Sequence, residues 1–302
     1  MPKTRTARKS KPARPRTRRT GKVRVAFQGE RGAFSEEAAH RILGERIEAL
    51  PRREFDEIFA AVIRDEADCA MVPMENTLAG SVIKNYDLVA DNDLEVKGEV
   101  VLRVAHHLIA PKGARLADIR RVLSHPVALA QCDYYLRKLR IEVPNLEIVP
   151  AYDTAGAVKL VVENGRHDEA AIASRSAAAT YHAQILAEGI ESNPQNFTRF
   201  FVMARPDRRI PLRVRTRERK TSIVFRTTNR PGALFHALAA FAKEKIDLTK
   251  IESRPIVGRP WEYSFYLDFL GDRNSPAARK ALASLTLVAE GLRIFGSYPR
   301  AE

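Results

Sequence analysis

The sequence predicts an α/β protein with a larger unit of alternating strands and helices and a smaller unit at its C-terminal end. Up to about residue 205, short apolar strands are each followed by a segment with helical periodicity. This alternation predicts a parallel sheet that binds a ligand at the ends of its strands. After residue 220 the order becomes βαββαβ, which indicates a two-layer unit of the ferredoxin-like type.

The larger unit begins with a strand over residues 23–27 and a loop containing two glycines. Ser35 is predicted to cap the next helix, because Glu36 and Glu37 would occupy its first turn. Residues 55–63 have the spacing of an amphipathic helix, and a strand over 69–72 follows. Further strand and helix pairs are predicted over residues 122–123 and 127–139, 147–149 and 154–162, and 170–173 and 176–186.

The smaller unit follows an arginine- and proline-rich stretch that reads as a linker. A strand over 221–225, a helix opened by Pro231 and an extended segment over 246–255 come first. Residues 261–269 alternate apolar and polar side chains, which predicts a strand with one buried face. A helix over 274–287 and a strand over 292–295 complete the predicted order.

Composition limits the possible classes of protein. The 302 residues are 45% apolar, which is too much for a disordered chain. The net charge is +14, but eleven basic residues and no acidic ones lie in residues 1–24, which leaves +3 for the remainder. We therefore predict a disordered basic tail over residues 1–21. A nucleic-acid handle and a solubilising extension are both open, and the second is favoured because no aromatic residue separates the charges.

The cysteines and the apolar runs bear on the compartment. Cys69 and Cys132 are the two cysteines, and both lie in apolar patterns, which supports neither a disulfide framework nor a cysteine metal site. No apolar run approaches the roughly 20 residues of a membrane span, and none after the basic start is long enough for a signal peptide. We expect a cytoplasmic protein.

The run from Asn196 to Phe200 is the strongest candidate for chemistry. It places the hydroxyl of Thr198 and the guanidinium of Arg199 between aromatic residues. Such groups need a partner, because burying an unpaired hydroxyl costs about 1–3 kcal/mol and an unpaired charge costs more. Hydrogen bonds at the end of a strand would explain the pair equally well, and other motifs decide between the two interpretations.

Polar side chains also follow other predicted strands, where open α/β sheets bind their ligands. The candidates are Glu75, Asn76, Thr77, Ser124, Gln131 and Thr154. Ordinary turns and helix caps could account for several of them. His106 and His107 lack a metal-ligand spacing and are predicted to be core or surface histidines.

Two further patterns exclude other chemistries. The loop at Gly29 and Gly32 matches neither the dinucleotide nor the Walker pattern, so no nucleotide is expected, although the helix behind it could hold a carboxylate. A Ser-His hydrolase at Ser124 and His125 is rejected, because adjacent residues point apart and no nucleophile elbow is present.

Taken in order, these motifs closely resemble those of the prephenate dehydratase family. The C-terminal unit likewise resembles an ACT regulatory domain, and together the two resemblances extend over nearly everything from residue 22. The matching segments are Gly29-x-x-Gly32-x-Phe34-Ser35, Pro73-x-Glu75-Asn76-Thr77, Ser124-His125-Pro126 with residues 128–132, Asp153-Thr154-Ala155-Gly156, residues 171–174, Asn196-x-Thr198-Arg199-Phe200, Gly232-Ala233-Leu234-Phe235 and Glu252-Ser253-Arg254-Pro255.

The resemblance implies a two-lobed catalytic unit, similar to periplasmic binding proteins, over residues 22–205. Lobe 1 would comprise about 22–103 plus 194–205, and lobe 2 about 104–193. A linker over 206–219 and an ACT domain over 220–298 would follow. The implied activity is decarboxylative dehydration of prephenate to phenylpyruvate in phenylalanine biosynthesis, without metal or other cofactor. Feedback regulation by L-phenylalanine, a homodimer or homotetramer, and a monofunctional chain without a chorismate mutase segment are also implied.

The resemblance also implies roles for single residues. Thr198 would act on the leaving oxygen, and Glu75 is the alternative acid. Arg199 would pair a substrate carboxylate, or point to the opposite face and serve structure. The implied substrate-binding residues are Ser35, Asn76, Thr77, Ser124, Gln131, Thr154, Asn196 and Phe200, and the implied effector-binding residues are Gly232, Ala233, Leu234, Phe235, Glu252, Ser253, Arg254 and Pro255.

Two departures and three alternatives accompany the resemblance. Val127 stands where the family usually has Gln, which removes one polar contact, and Thr77 replaces the commoner Ser but keeps a hydroxyl. Arogenate dehydratases share nearly all these motifs, so the substrate is open between prephenate and arogenate. A non-catalytic amino-acid sensor and a nucleic-acid regulator acting through the tail are the other two readings.

Overall fold

The computed structural model describes residues 21–227, 230–256 and 258–301. They form three sheets and the helices packed on them. The predicted α/β class is confirmed, as are the two lobes and the βαββαβ order of the C-terminal domain. The predicted basic tail lies outside the described residues, apart from Gly21. No helix in the described ranges combines the length and apolarity needed to cross a membrane.

Lobe 1 is built on a mixed sheet in the order β2-β1-β3-β11-β5, with the short strand β4 paired to β3. Strands β1, β2 and β3 are parallel, but β11 is antiparallel to both of its neighbours, so the prediction of a wholly parallel sheet is wrong. The cause is the return of the chain from lobe 2, which inserts β11 between β3 and β5. The elements of lobe 1 are β1 (Val23–Gln28), α1 (Phe34–Leu43), β2 (Ile47–Arg52), α2 (Phe55–Ile63), β3 (Cys69–Asn76), β4 (Gly80–Ser81), α3 (Ile83–Asp91), β5 (Glu95–Arg103) and β11 (Phe197–Ala204).

Lobe 2 is inserted between β5 and β11 and has its own sheet in the order β10-β6-β9-β7-β8. Strands β7, β8 and β9 are parallel, whereas β6 is antiparallel to β9 and to β10. The elements of lobe 2 are β6 (His107–Ala110), a 3-10 turn (Leu116–Asp118), β7 (Arg121–Ser124), α4 (Pro126–Gln131), α5 (Asp133–Glu142), β8 (Glu147–Pro150), α6 (Thr154–Asn164), β9 (Glu169–Ala173), α7 (Arg175–Thr180) and β10 (Gln184–Ala187).

Two predicted helices differ from the structure. The segment over 127–139 forms two helices, α4 and α5, because Cys132 between them has φ −109° and ψ 16°. The helix predicted over 176–186 ends at Thr180, since His182 adopts φ 54° and the chain continues as β10. Both breaks fall at positions where the apolar periodicity continues, so the sequence pattern did not reveal them.

The C-terminal domain is an antiparallel sheet in the order β13-β14-β12-β15 with two helices on one face. Its other face packs on lobe 1, where Tyr266 and Tyr298 join an apolar cluster with Phe201. The prediction of one buried face on the long strand is therefore incomplete, because Tyr266 and Asp268 are buried as well. The elements are β12 (Arg219–Arg226), α8 (Ala233–Lys243), β13 (Leu248–Ile256), β14 (Arg259–Leu270), α9 (Pro276–Thr286) and β15 (Glu290–Pro299).

Side chains of β11 alternate between the two faces of the lobe 1 sheet. Phe200 and Val202 belong to the apolar cluster between the lobes, and Phe201 and Met203 to the cluster beneath the C-terminal domain. Strand β11 therefore contacts both lobe 2 and the C-terminal domain. Side chains two positions apart along the strand face the same side of the sheet.

Candidate active site

A ring of three side-chain amides lies where the end of β3, the start of β11 and the end of α4 meet. Asn76 Nδ2 donates to Asn196 Oδ1 at 2.7 Å, and Asn196 Nδ2 donates to Gln131 Oε1 at 2.9 Å. Gln131 Nε2 closes the ring by donating to Asn76 Oδ1 at 3.3 Å. Because Asn76 and Asn196 belong to lobe 1 and Gln131 to lobe 2, the ring joins the two lobes.

The backbone fixes the direction of every hydrogen bond in this ring. The N–H groups of Leu78 and Ala79 both donate to Asn76 Oδ1, at 3.0 and 2.8 Å, so the other atom of that amide must be the nitrogen. Asn76 Nδ2 also lies 3.0 Å from Thr198 Oγ1 and 3.1 Å from Phe197 O, and these two acceptors share its second proton. Thr198 is therefore an acceptor towards Asn76, which leaves its own hydroxyl proton to donate to a ligand.

Glu75 and Arg199 lie on the opposite face of the sheet from Thr198. Glu75 pairs with Arg199 in the register of β3 and β11, while Asn76 pairs with Thr198, and side chains alternate along each strand. The Glu75 carboxylate is 3.1 Å from Lys250 Nζ and 3.7 Å from Arg199 NH1. The role of alternative acid requires Glu75 to lie near Thr198, but the structure places the two side chains on opposite faces of the sheet.

Arg199 is held by carboxylates at the boundary with the C-terminal domain. It contacts Asp268 at 2.5 Å and Glu99 at 3.1 Å, and its guanidinium lies over the ring of Phe201. Burial lowers the pKa of Arg199, but the negative charges around it, chiefly Asp268, raise that pKa well above its ordinary value. Of the two roles that the sequence left open, this placement supports the structural one, because Arg199 faces away from Thr198 and pairs with the buried carboxylates of Glu99 and Asp268.

A second contact between the lobes lies at the glycine-containing loop after β1. Asp153, the N-cap residue of α6, accepts hydrogen bonds from Glu30 N at 3.1 Å and Gly156 N at 3.0 Å. Burial raises the pKa of Asp153, although these backbone donors oppose the shift. Ser174 Oγ donates to Gly32 O at 2.7 Å, which ties the same loop to α7. Thr154 begins α6 beside this contact.

Ser35 does not cap α1, which corrects the sequence prediction. The helix begins at Phe34, its N-cap position is Ala33, and Ser35 lies buried inside the first turn. Glu36 satisfies the loop instead, because its carboxylate accepts from Gly32 N at 2.6 Å and from Arg31 Nε at 2.7 Å. The buried Glu36 therefore supplies the hydrogen bonds that the sequence pattern assigned to a serine cap.

Three other predicted substrate-binding residues have partners within the chain. Ser124 is fully buried, and its hydroxyl donates to Ile172 O at 2.6 Å. Thr77 ties β3 to β11 by donating to Gln195 O at 2.9 Å and accepting from Phe197 N at 3.0 Å. Phe200 packs in the apolar cluster between the lobes. The three residues therefore contact other parts of the chain around the site.

His106 is buried, one of the two positions that the sequence left open, and it contacts the amide ring. It is 2% exposed, its Nε2 lies 2.9 Å from Gln131 Oε1, and its ring meets the edge of Phe34 at 5.5 Å between centroids. Its backbone N–H donates to the carboxylate of Glu191 at 2.9 Å. The one sequence signal is its position directly before β6, where the chain enters lobe 2.

The predicted effector residues divide between two surfaces of the C-terminal domain. Glu252 accepts from Ser81 Oγ at 2.8 Å and Arg254 donates to Asp87 at 2.9 Å, so both contact lobe 1. Ser253 and Pro255 alternate with them along β13 and are exposed. The remaining four lie at the start of α8, with Gly232 at its N-cap, Ala233 buried, Leu234 half-buried and Phe235 70% exposed.

Metal coordination receives no support from side-chain geometry within the ranges that the structure describes, since no three His, Cys, Asp or Glu residues there cluster suitably. The polar groups that meet at this site are amides, a hydroxyl and an imidazole.

Comparison with known proteins matches both parts of the chain. The family model described as prephenate dehydratase matches residues 25–208, and the model described as ACT domain matches residues 221–286. A relative from Arabidopsis thaliana, arogenate dehydratase/prephenate dehydratase 2, is 44% identical over 288 residues, which are 92% of this chain and 73% of that protein.

Two solved structures are similar over nearly the whole chain. Prephenate dehydratase from Arthrobacter aurescens in complex with L-Phe has a TM-score of 0.81 and 33% identity, and the match covers 92% of this chain and 90% of that one. GqqA, described as a novel type of quorum quenching acylase, has a TM-score of 0.81 and 35% identity, with 91% of this chain and 97% of that chain covered.

Proposed function

The chain belongs to the prephenate dehydratase family, and we propose that it converts prephenate to phenylpyruvate, carbon dioxide and water. The observation that carries this proposal is the hydroxyl of Thr198, which accepts from Asn76 and so has its proton free for a ligand in the region between the lobes. Members of the family are lyases, and the family match covers all residues of the amide ring.

The reaction needs a proton donor at one oxygen and no redox partner. As the bond between the ring and its carboxylate breaks, that electron pair enters the ring, carbon dioxide leaves, and the 4-hydroxyl departs as water with one proton that the overall reaction takes up from solvent. Thr198 donates its hydrogen bond to this departing oxygen, where negative charge develops. A free threonine hydroxyl is too weak an acid to lose its proton outright, so Thr198 relays or shares a proton rather than acting as a free general acid.

The amide ring fixes the group that faces the Thr198 hydroxyl. Asn76 can occupy only one orientation, because two backbone N–H groups donate to its oxygen. The donor that faces Thr198 Oγ1 is consequently fixed before substrate arrives, which leaves the hydroxyl proton to point away from Asn76, and a donor that needs little reorganisation stabilises a developing charge best. Asn196 and Gln131 serve the same purpose by holding Asn76 from both lobes.

Arogenate is the second candidate substrate. The relative from Arabidopsis is named for both arogenate and prephenate dehydratase activity, and arogenate undergoes the same decarboxylation and dehydration. The two substrates differ in the side chain, where an amino group replaces a keto group. The residues described around Thr198 would act on the ring hydroxyl. Both substrates carry this hydroxyl, so these residues do not distinguish prephenate from arogenate.

Acyl transfer is a weaker candidate, raised by the likeness to GqqA. A threonine nucleophile requires an adjacent base to take its proton. The partner of Thr198 in this structure is an amide nitrogen, which donates a proton and cannot accept one. The contacts of Thr198 therefore favour dehydration over acyl transfer.

Regulation by phenylalanine is part of the proposal. The ACT domain match and the L-Phe complex of the Arthrobacter relative support it. We place the effector at the start of α8, where Phe235 is 70% exposed, and at the face of β13 that carries Ser253. Exposed apolar side chains on this domain, including Trp261, suit contact with a second copy of the chain, and a homodimer or homotetramer is expected.

We also propose a cytoplasmic setting, in which the two buried cysteines remain free thiols. Burial raises the pKa of both thiols, to about 12 for Cys69, so neither is activated as a nucleophile at neutral pH.

One assay tests the proposed function. The purified chain is incubated with prephenate and, in parallel, with arogenate, and phenylpyruvate and phenylalanine are measured by ultraviolet absorbance and chromatography, with and without added phenylalanine. Turnover of prephenate with a response to phenylalanine is the expected result. Turnover of arogenate alone would assign the second substrate, and turnover of neither would refute the dehydratase proposal. Calorimetry with phenylalanine and light scattering test the effector site and the oligomer.

A further inference from the structure

His106 sits at the far end of the hydrogen-bonded chain that begins at Thr198. Thr198 accepts from Asn76, Asn76 accepts from Gln131, and Gln131 Oε1 faces His106 Nε2 at 2.9 Å. His106 is 2% exposed, so water has little access to this contact. The residue belongs to lobe 2, whereas Thr198 belongs to lobe 1.

The hydrogen bonds determine which ring nitrogen of His106 carries the proton. Two backbone N–H groups fix the oxygen of Asn76, so Gln131 must turn its nitrogen to Asn76 and its oxygen away from it. Gln131 Oε1 already accepts from Asn196 Nδ2, and an oxygen accepts but does not donate. The atom of His106 that meets it must therefore be an N–H donor, which makes Nε2 the protonated nitrogen.

This assignment leaves the second ring nitrogen, Nδ1, without a proton. His106 Nδ1 is buried and has no hydrogen-bond partner among the described residues. A proton on Nδ1 would be a charged donor buried without an acceptor, which is costly. Burial accordingly lowers the pKa of His106, and the hydrogen bond to Gln131 opposes this shift only in part.

We infer that His106 is a positioning residue of this site: as the neutral Nε2–H tautomer it holds Gln131 and, through the amide ring, directs the Thr198 hydroxyl towards the departing oxygen. The inference rests on the proposed function only for the identity of that oxygen. His106 acts through Gln131 and touches no reacting atom itself.

Substitutions separate this role from simple packing. His106→Phe preserves an aromatic ring against Phe34 but removes the donor, whereas His106→Gln offers an amide N–H close to the position of Nε2. We expect His106→Phe to lower kcat about tenfold, as the loss of one orienting hydrogen bond does, with little change in KM. His106→Gln should restore most of the loss. His107→Gln is the matched control, because His107 contacts Gly189 N and not the ring, and its kcat should stay unchanged.

A double-mutant comparison tests whether the effect passes through Gln131. Gln131→Leu alone should lower kcat, and adding His106→Phe should lower it no further, because the partner of His106 is already gone. Losses that multiply would overturn the inference, since His106 would then act by another route. Equal kcat for the wild type and His106→Phe would overturn it too.

The tautomer itself can be measured without any activity. Nitrogen-15 labelling of histidine distinguishes a protonated from a bare ring nitrogen by chemical shift, and we expect the Nε2–H form for His106 at pH 7. An Nδ1–H tautomer or an imidazolium at that pH would refute the inference. If the wild type turns over neither substrate, the proposed function fails while this measurement still decides the tautomer.

Discussion

Thr198 and Arg199 are adjacent in sequence but serve different halves of the molecule. Alternation along β11 turns Thr198 towards the amide ring between the lobes and Arg199 towards the carboxylates beneath the C-terminal domain. The sequence showed that both side chains were polar residues within an apolar run, but it could not tell which face each would meet, because that depends on what packs on either side of the sheet.

Replacing Thr198 tests the residue that carries the proposed chemistry. Thr198→Ala removes the hydroxyl donor and should lower kcat by at least about 100-fold, the usual size for loss of one such group. Thr198→Ser keeps a hydroxyl and should retain much more activity. Steady-state kinetics and circular dichroism on both variants give the measurement, and a folded Thr198→Ala protein with near-normal kcat would contradict the role.

Replacing Arg199 should affect stability first. Arg199→Met leaves the carboxylates of Glu99 and Asp268 buried without this partner, which costs about 3–5 kcal/mol when one member of a buried network is removed. The free energy of unfolding in urea is the measurement. Arg137→Met is the control, because the ion pair of Arg137 with Asp133 is exposed and contributes little. Equal stability of the two variants would contradict the structural role of Arg199.

His106 also makes stability depend on pH. Burial lowers the pKa of His106 in the folded protein, so below about pH 6.5 the unfolded chain binds a proton that the folded protein excludes. Its contribution is therefore present above pH 6.5 and is lost as the pH falls towards the folded-state pKa. The groups facing it are Gln131, Phe34, the carboxylate of Glu191 and the imidazole of His107.

The wild type should consequently lose stability more steeply than His106→Gln as the pH falls below 6.5. The free energy of unfolding of the wild type relative to the variant should change by up to about 1.4 kcal/mol per pH unit in that range. Urea titrations between pH 5 and 8 provide the comparison. Parallel curves for the two proteins would show that His106 keeps an ordinary pKa.

At the scale of elements, local pattern predicted most strands and helices, and long-range contacts decided the rest. The helical spacing of residues 55–63 is reproduced by α2 within the same bounds. In contrast, nothing local shows that β11 inserts between β3 and β5, or that Glu36 replaces Ser35 in satisfying the loop before α1. The sequence did not identify His106 as a site residue for the same reason, since its partner Gln131 is 25 residues away and in another element.

The loop before α1 allows a test of how closely the lobes approach. A Cβ at Gly32, where φ is 82°, would lie 2.6 Å from the Cα of Ala177 in lobe 2. Gly32→Ala should therefore destabilise the protein and lower kcat, because the amide ring spans the same two lobes. Gly165→Ala is the matched control, since Gly165 also has positive φ but nothing within 4 Å.

The difference between these two glycine variants measures the contact. Gly165→Ala should cost about 1–2 kcal/mol of unfolding free energy from backbone conformation alone, and Gly32→Ala about 1–3 kcal/mol more from the clash. Thermal unfolding and prephenate kinetics of both variants are the measurements. Equal effects would mean that the lobes do not need this close approach.

At the scale of the whole molecule, the C-terminal domain reaches the site through β3. Lys250 on β13 contacts Glu75 at 3.1 Å and Ser81 at 3.1 Å, and Glu75 directly precedes Asn76 of the amide ring. A shift of β13 would therefore displace the partner of Glu75, which is the residue directly before Asn76. The sequence predicted two domains and their functional motifs, but their relative placement came only from the folded structure, because no motif encodes a contact between residues 75 and 250.

Lys250→Met tests this connection. Removing the ammonium group breaks its contacts with Glu75, Ser81 and Glu252, so phenylalanine should change the activity at least about fivefold less than in the wild type, a loss within the usual range of coupling energies. Activity without phenylalanine should stay within about twofold. Lys280→Met, an exposed lysine on α9, is the control. An unaltered response in Lys250→Met would exclude this route.

The insertion of β11 into the lobe 1 sheet has a consequence for synthesis on the ribosome. While lobe 2 is still emerging, the nascent chain contains β3 and β5 without the strand that belongs between them, and each of these two strands has an unpaired edge. The same late strand delivers Thr198. A polypeptide that stalls before residue 197 therefore lacks both the completed lobe 1 sheet and the hydroxyl of Thr198.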